Sequence, residues 1–231
     1  MSIESYILSH SQPESELLAR LDREANVRLL HPRMVSGHIQ GRLLSTISYM
    51  MRPSRILEIG TYVGYSAMCL AEGLADDGKV ITIDIDDEIE DMAREYISQS
   101  HYASKIDFRI GDALELIPQM DETFDLVFID GNKRDYIAYF EAVLPKVKDG
   151  GFILADNTLW AGKVTEKPAS NDYQTKGLIA FNDYIAARTD VDRFILPLRD
   201  GLTIIRIRHS ERSEESYNNS KYSINGINTA E

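Results

Sequence analysis

The sequence predicts an α/β protein with a mostly parallel β-sheet, helices on both faces and a terminal antiparallel hairpin. From residue 55 onward, short runs rich in β-branched and aromatic residues alternate with segments of helical spacing. Such alternation is typical of parallel strands joined by helical crossovers, because each crossover places a helix on one face of the sheet. Two further apolar runs before residue 208 are too close together for a crossover, so an antiparallel hairpin must join them.

Seven runs are predicted to form the strands of this sheet. The first five are RILEIG, VITIDI, IDFRIG, FDLVFID and GGFILADN, each followed by a helical segment or a turn. The last two, RFILPL and LTIIRI, flank Arg199, Asp200 and Gly201, which form the predicted hairpin turn. We therefore expect a seven-stranded sheet that ends in this hairpin.

The two ends of the chain differ from this core. The first fifty residues have the apolar spacing of amphipathic helices. One stripe is Leu17, Leu18, Leu21 and Ala25, and a second is Ile39, Leu43, Ile47 and Met50. After Arg208 the chain is polar and too poor in apolar residues to bury a core. We predict one domain over residues 1–208, with a helical cover (1–52) and an α/β core (53–208), followed by a disordered polar tail (209–231).

Composition restricts the class of partner. The 231 residues carry a formal net charge of -12, which opposes binding to nucleic acid or to anionic membranes and favours a small-molecule partner. No run of about 20 apolar residues could span a bilayer, and the start MSIESYILSHSQPE does not resemble a signal peptide, so we expect a cytoplasmic protein. Cys69, the only cysteine, lies in an apolar helical run and is expected to be buried.

The first strand runs into a glycine-containing turn before a helix. Gly60 and Gly64 would let the backbone approach a ligand, although a packing turn explains them as well. Because the spacing is not G-x-G-x-x-G, a dinucleotide is disfavoured. Glu58 would repel a pyrophosphate but suits a cofactor with an amino group or a positive charge.

Acidic residues also follow the second and third strands. Asp84 can accept hydrogen bonds from both hydroxyls of a ribose, while the later residues Asp86, Asp87 and Glu88 are expected to cap the next helix. Asp112 could accept from an exocyclic amine of adenine or could simply be a helix N-cap.

Polar clusters end the fourth and fifth strands. Asp130 is followed closely by Lys133, and Asp156 is followed by Asn157. Because the carboxyl ends of parallel strands meet at one crevice, three oxygen ligands and one amine are expected to come together there. This set predicts a divalent-cation site with a base beside it, and Lys133 can act as that base if the metal and partial burial lower its pKa. Taken singly, each residue could instead cap a helix, stabilise a turn or remain solvated.

Six ordered motifs resemble a known family, the cation-dependent class I S-adenosylmethionine O-methyltransferases, which include catechol and caffeoyl-CoA O-methyltransferases. The motifs are MVSGHIQG, LEIGTYVGYSA, GDALELIP, FDLVFIDGNKRDY, ILADNTLWAG and LPLRDGLT. The resemblance implies a Rossmann-like class I methyltransferase fold and methyl transfer from S-adenosylmethionine to a catechol-type phenolic small molecule or its CoA ester. It also implies a homodimer.

The resemblance implies a role for each matching residue. The cofactor would lie against Met34, Val35, Ser36, Glu58, Gly60, Tyr62, Gly64, Ser66, Asp84, Asp112, Ala113 and Asp130. The cation, Mg²⁺ or another such as Mn²⁺ or Ca²⁺, would bind Asp130, Asp156 and Asn157. Lys133 would be the catalytic base, and Asp200 would lie near the substrate hydroxyls. Trp160 is expected either to flank a planar phenol or only to pack.

The sequence departs from the family at one point and leaves alternatives open. Many relatives read Asp-Ala-Asp-Lys where this chain reads Asp130-Gly131-Asn132-Lys133, which leaves the metal and base assignments intact. The alternatives are a nucleic-acid methyltransferase, a non-catalytic cofactor-binding module and a nicotinamide oxidoreductase. The acidic net charge disfavours a nucleic-acid methyltransferase, and the four polar residues after the fourth and fifth strands disfavour a non-catalytic module. The missing phosphate fingerprint disfavours a nicotinamide oxidoreductase.

Overall fold

The computed structural model describes residues 1–208, which form a seven-stranded sheet with helices on both faces. The strands are β1 (Arg55–Ile59), β2 (Lys79–Asp84), β3 (Ile106–Ile110), β4 (Phe124–Ile129), β5 (Val147–Ala155), β6 (Val191–Leu196) and β7 (Leu202–Ile207). Their order is β3-β2-β1-β4-β5-β7-β6, with β7 antiparallel to both of its neighbours. The predicted fold class and the terminal hairpin are confirmed.

Eight α-helices accompany the sheet within the described residues. They are α1 (Ile3–Ser9), α2 (Glu16–Arg28), α3 (Gly37–Met51), α4 (Tyr65–Ala71), α5 (Glu90–Gln99), α6 (Ala113–Leu116), α7 (Tyr136–Val143) and α8 (Tyr173–Ala187). Short 3₁₀ turns at Pro32–Met34, Lys133–Asp135 and Trp160–Thr165 lie between them. Helices α1 to α3 thus fall within the predicted helical cover, while the tail predicted for residues 209–231 lies outside the described part.

The core is split into two layers by the sheet. In β1, Leu57 and Ile59 face a cluster that includes Phe140 and Phe181 from α7 and α8. Ile56 faces the opposite cluster, which α2 to α5 cover. Because both faces are buried, the central strands are almost continuously apolar, which made them recognisable in the sequence.

The buried face of α3 differs from the predicted stripe. Ile39, Leu43 and Ile47 are only partly buried, and Met50 is 80% exposed. The buried side chains are instead Gln40, Leu44, Ser45 and Ser48, with Gly41 beside them. Close packing against α4 is the reason, since a Cβ on Gly41 would lie 2.7 Å from the Tyr65 ring. The buried stripe of α3 therefore consists mainly of small and polar residues and is shifted from the predicted apolar stripe.

Two other expectations can be compared with the structure. Cys69 is fully buried, as predicted, and burial raises the pKa of its thiol. Within residues 1–208, no helix combines the length and the apolar character that a bilayer crossing requires.

Candidate active site

The carboxyl ends of the central strands meet at one edge of the sheet. The residue after each of these strands still donates a backbone hydrogen bond to the neighbouring strand. The Asp130 N–H donates to the Ile59 carbonyl at 2.8 Å, and the Asp156 N–H donates to the Ile129 carbonyl at 2.9 Å. This pairing places the two polar clusters side by side, although they are far apart in sequence. A cavity of about 750 Å³ opens beside them.

Most of the predicted site residues border this cavity. They are Met34, Val35, Ser36, Gly60, Tyr62, Asp84, Asp112, Ala113, Asp130, Lys133, Asp156, Asn157, Trp160 and Asp200. Glu58, Gly64 and Ser66 do not border it. Ser66 lines a smaller adjoining pocket, Gly64 is the N-cap of α4, and Glu58 is fully buried.

The turn after β1 holds its backbone tightly against β4. Gly60 has a φ of 102°, and a Cβ there would lie 2.5 Å from the Asp130 carbonyl oxygen. Only glycine fits this position without displacing Asp130. The turn also directs the Tyr62 N–H toward Asp84, whose Oδ2 accepts its hydrogen bond at 2.6 Å. The Asp84 carboxylate is thereby fixed at the cavity edge, and burial raises its pKa.

The acidic residues after β2 do not cap α5 as predicted. Ile89 is the N-cap and makes no side-chain capping bond, while Asp86 accepts from the Glu88 N–H within the preceding turn. Asp112, in contrast, is the N-cap of α6, and its Oδ1 accepts from the Leu114 N–H at 2.8 Å. The N-cap interpretation of Asp112 is confirmed, while its role toward adenine stays a prediction.

Glu58 is a buried carboxyl with an incomplete set of partners. The Thr82 hydroxyl donates to its Oε2, but among the described residues its Oε1 has no hydrogen-bond partner. Burial raises the pKa of Glu58 to about 8, and the charges of Asp130 and Asp84 add to this effect. A buried acceptor without a donor is costly, and the raised pKa keeps this carboxyl mainly protonated at neutral pH.

Lys133 forms a buried ion pair with Asp130. Its Nζ lies 2.7 Å from Asp130 Oδ1 and 5.2 Å from the centroid of the Tyr136 ring. Burial lowers the pKa of Lys133, but Asp130 and Tyr136 raise it, and the net pKa lies above its ordinary value. The protein groups alone therefore raise this pKa, because the nearby carboxylate favours the charged amine more than burial disfavours it, and the lowering expected beside a bound metal stays a prediction.

Asp156 is the second buried carboxyl of the site. Gln40 Nε2 donates to its Oδ2 at 2.6 Å, and the Asn157 N–H donates to its Oδ1 at 2.7 Å. Burial raises the pKa of Asp156 to about 7, and the charge of Asp130 raises it further. Two neighbouring carboxylates thus share one lysine, which leaves the site short of positive charge.

This donor set fits a divalent cation. Asp130, Asp156 and Asn157 offer two carboxylates and one amide, the hard oxygen ligands that Mg²⁺ prefers. Within the part of the chain that the structure describes, no cluster of three or more His, Cys, Asp or Glu side chains could hold a metal. A metal site here would therefore depend on the Asn157 amide and on oxygens from water or substrate.

The loop after β5 brings Trp160 and Asp200 to the same wall of the cavity. Asn157 and Trp160 have left-handed backbone angles, with φ of 57° and 47°. The Leu159 and Trp160 N–H groups both donate to the Asp200 carbonyl, at 2.7 and 3.1 Å. The stretch from Ala161 to Lys176 contributes Gln174 to the cavity lining.

Three residues at the site were not assigned from the sequence. Gln40 holds Asp156, the Tyr136 hydroxyl donates to the Asp156 carbonyl at 3.0 Å, and Arg199 donates to the Val35 carbonyl at 3.3 Å. All three lie inside motifs that the sequence made recognisable. Their roles come from contacts between distant segments, for which the motifs carry no local signal.

Comparisons with known proteins agree with this geometry. A family model described as O-methyltransferase matches residues 8–208. Tricin synthase 1 of Oryza sativa subsp. japonica is 34% identical over 187 residues, covering 75% of this chain and 74% of the relative. The caffeoyl-CoA O-methyltransferase of Petroselinum crispum is 34% identical over 215 residues, covering 87% of this chain and 88% of the relative.

Solved structures show the same fold. The O-methyltransferase TomG from Streptomyces achromogenes, involved in tomaymycin synthesis and solved with S-adenosylmethionine, has a TM-score of 0.83 and 29% identity, covering 90% of this chain and 96% of its own. The O-methyltransferase from Bacillus cereus, solved with S-adenosylhomocysteine, has the same TM-score and identity, covering 89% and 97%. The chain therefore belongs to the O-methyltransferase family, among the cation-dependent class I S-adenosylmethionine O-methyltransferases that its motifs resemble.

Proposed function

We propose that this protein transfers the methyl group of S-adenosylmethionine to a hydroxyl of a catechol-type small molecule or of its CoA ester. We further propose that a divalent cation orients the acceptor and that Lys133 receives the proton. The observation that carries the proposal is the meeting of Lys133, Asp130, Asp156 and Asn157 at one cavity. The caffeoyl-CoA O-methyltransferase of P. crispum supports the CoA ester as one form of the acceptor.

The cofactor half of the cavity, formed by Gly60, Tyr62, Asp84 and Asp112, has the groups that S-adenosylmethionine needs. Asp84 borders the cavity and would accept from the ribose hydroxyls. Glu58 is fully buried and does not border the cavity, so only the resemblance supports its contact with the cofactor. The cofactor-bound TomG and B. cereus structures support the same ligand.

The cation would be held by Asp130, Asp156 and Asn157. When bound, it would lower the pKa of the acceptor hydroxyl and fix its orientation. Gln40 and the Asn157 N–H already restrict the orientation of the Asp156 carboxylate. The protein therefore orients at least the Asp156 carboxylate before a cation binds.

Lys133 is the residue proposed to take the acceptor proton. The ion pair with Asp130 favours the ammonium form, which must release a proton to solvent before the amine can take one from the acceptor. A cation held by Asp130 would favour this release by sharing the Asp130 charge. The acceptor oxygen then attacks the methyl carbon, the carbon–sulfur bond breaks, and S-adenosylhomocysteine leaves. Alignment of the two reactants in a closed cavity can contribute about 7–11 kcal/mol to lowering the barrier.

Methyl transfer from labelled S-adenosylmethionine tests this function. Catechol, caffeate and caffeoyl-CoA would each be assayed with Mg²⁺ and again with excess chelator. We expect methylation of at least one vicinal diphenol that stops in chelator and returns when Mg²⁺ is restored. Full activity in chelator would contradict the cation, and no transfer to any diphenol would contradict the acceptor class.

A further inference from the structure

Two arginines border a cavity whose other charged residues are mainly acidic. Arg33 and Arg199 both line it, together with carboxylates that include Asp84, Asp130 and Asp156. Lys133 is neutralised by Asp130, but among residues 1–208 neither arginine has a carboxylate within ion-pair distance. The two arginines therefore line the cavity without a direct ion pair to any of its carboxylates.

Arg199 occupies an unusual backbone position for a residue with a side chain. It lies in the hairpin turn between β6 and β7 with a φ of 50°, in the left-handed region. This conformation disfavours most L-residues by about 1–2 kcal/mol and is easy for glycine. A residue held in this conformation at the edge of a cavity is a candidate for a role in ligand binding.

The side chain of Arg199 lies at the edge of the cavity, where the cover segment meets the hairpin turn. Its Nη1 donates to the Val35 carbonyl at 3.3 Å, which places the guanidinium beside the cover segment. The adjacent Asp200 carbonyl accepts from the Leu159 and Trp160 N–H groups, which places the turn beside the Trp160 wall. The guanidinium has five donor hydrogens, and a single carbonyl bond leaves most of them free for a ligand.

We propose that Arg199 selects acceptors that carry an anionic group, a carboxylate or a phosphate, attached to the diphenol. A guanidinium suits either anion because its planar array of donors can bind two oxygens at once. A neutral catechol would gain nothing from this contact. The inference rests on the proposed function and deepens it by naming a feature of the substrate class.

The test compares three acceptors: neutral catechol, caffeate with its carboxylate, and caffeoyl-CoA with its phosphates. The variants are Arg199→Gly, which removes the charge and relieves the backbone, and Arg199→Lys, which keeps a charge. Arg52→Gly is the matched control, because Arg52 also has a left-handed φ, 48°, and an exposed side chain but does not border the cavity. KM and kcat are measured for each acceptor, with KM for S-adenosylmethionine and the melting temperature.

We expect Arg199→Gly to raise KM for at least one anionic acceptor about tenfold, because one charged hydrogen bond is lost. The kcat for that acceptor should stay almost unchanged. KM for catechol and for S-adenosylmethionine should stay constant, Arg199→Lys should retain part of the preference, and Arg52→Gly should have no effect. A loss confined to caffeate assigns the carboxylate, and a loss confined to caffeoyl-CoA assigns the phosphates.

Two results would overturn the inference. An equal loss with catechol and both anionic acceptors would mean that Arg199 only holds the cover through Val35. Unchanged KM for every acceptor would mean that it contacts none of them. If the unaltered protein methylates no acceptor, the proposed function itself is contradicted and the inference falls with it.

Discussion

The cofactor half and the acceptor half of the cavity are built differently. The acceptor half comprises Lys133, Asp156, Trp160, Arg199 and Asp200. In the cofactor half, backbone N–H groups hold the carboxylates: Asp84 accepts from Tyr62 and Asp86. In the acceptor half, Asp156 is held by Gln40, 116 residues away in sequence, and Asp130 between the halves pairs with a buried lysine. Backbone geometry thus shapes one half, while distant side chains and charge balance shape the other. Substitutions in the two halves should therefore have separable effects.

The largest expected effect is the loss of turnover in Lys133→Ala. Removing a general base commonly lowers kcat by about 100-fold or more, and Lys133 does not belong to the cofactor half. Calorimetry should therefore find the affinity for S-adenosylhomocysteine within about threefold of the unaltered protein. Lys148→Ala, which removes a partly exposed lysine paired with Asp125, is the control. Undiminished turnover would remove Lys133 as the base.

Asp84→Asn should have the converse effect. Without the charge, hydrogen bonds to a ribose weaken, and the affinity for S-adenosylmethionine should fall about tenfold or more. The divalent-cation affinity should stay unchanged, because Asp84 is not among the proposed cation ligands. Calorimetric titrations with each ligand measure both quantities. A parallel loss of cation affinity would show that the two halves are coupled.

The buried carboxyl Glu58 predicts a pH dependence of stability. Its pKa is about 8 in the folded chain against an ordinary 4.5, so between these values the folded state retains a proton that the unfolded state has released. The free energy of unfolding should then fall as the pH rises from 5 to 8, by up to about 1.4 kcal/mol per pH unit.

Urea denaturation at several pH values measures this dependence. Glu58→Gln should remove much of the decline in the free energy of unfolding. A smaller decline should remain, because the pKa of Asp156 is also raised, to about 7. The exposed control Glu166→Gln should follow the unaltered protein. An identical decline in Glu58→Gln would show that another group causes it.

The smallest predicted effect separates the two roles of Asp112. Asp112→Ala removes the N-cap of α6 and should lower the free energy of unfolding by about 1 kcal/mol. Asp112→Asn keeps a capping oxygen and should leave stability almost unchanged. If the carboxylate also binds the adenine amine, both variants should weaken S-adenosylmethionine binding. Normal affinity in both would leave Asp112 with a structural role alone.

The same contrast explains which features the sequence could predict. The strands, the Gly60 turn and the polar residues after β4 and β5 follow from local patterns, and the parallel sheet brings them together. The buried face of α3 could not be predicted from its local pattern. Close packing against α4 requires Gly41 and small polar residues on this face instead of an apolar stripe.

The charge balance of the site and its long-range contacts were also beyond a local pattern. The pKa of Lys133 rises because its pairing with Asp130, three residues earlier, outweighs the effect of burial, and burial depends on the folded structure. Arg199 reaches Val35, 164 residues earlier, and Gln40 reaches Asp156 from a helix outside the α/β core. The acceptor half is therefore the part for which the structure was needed.

The most direct test of this account is a calorimetric titration of the protein with Mg²⁺ alone. We predict one site per chain that Asp156→Asn abolishes, while Asp84→Asn and the surface control Asp107→Asn bind as the unaltered protein does. No binding at millimolar Mg²⁺, or unchanged binding in Asp156→Asn, would contradict a cation site in the acceptor half.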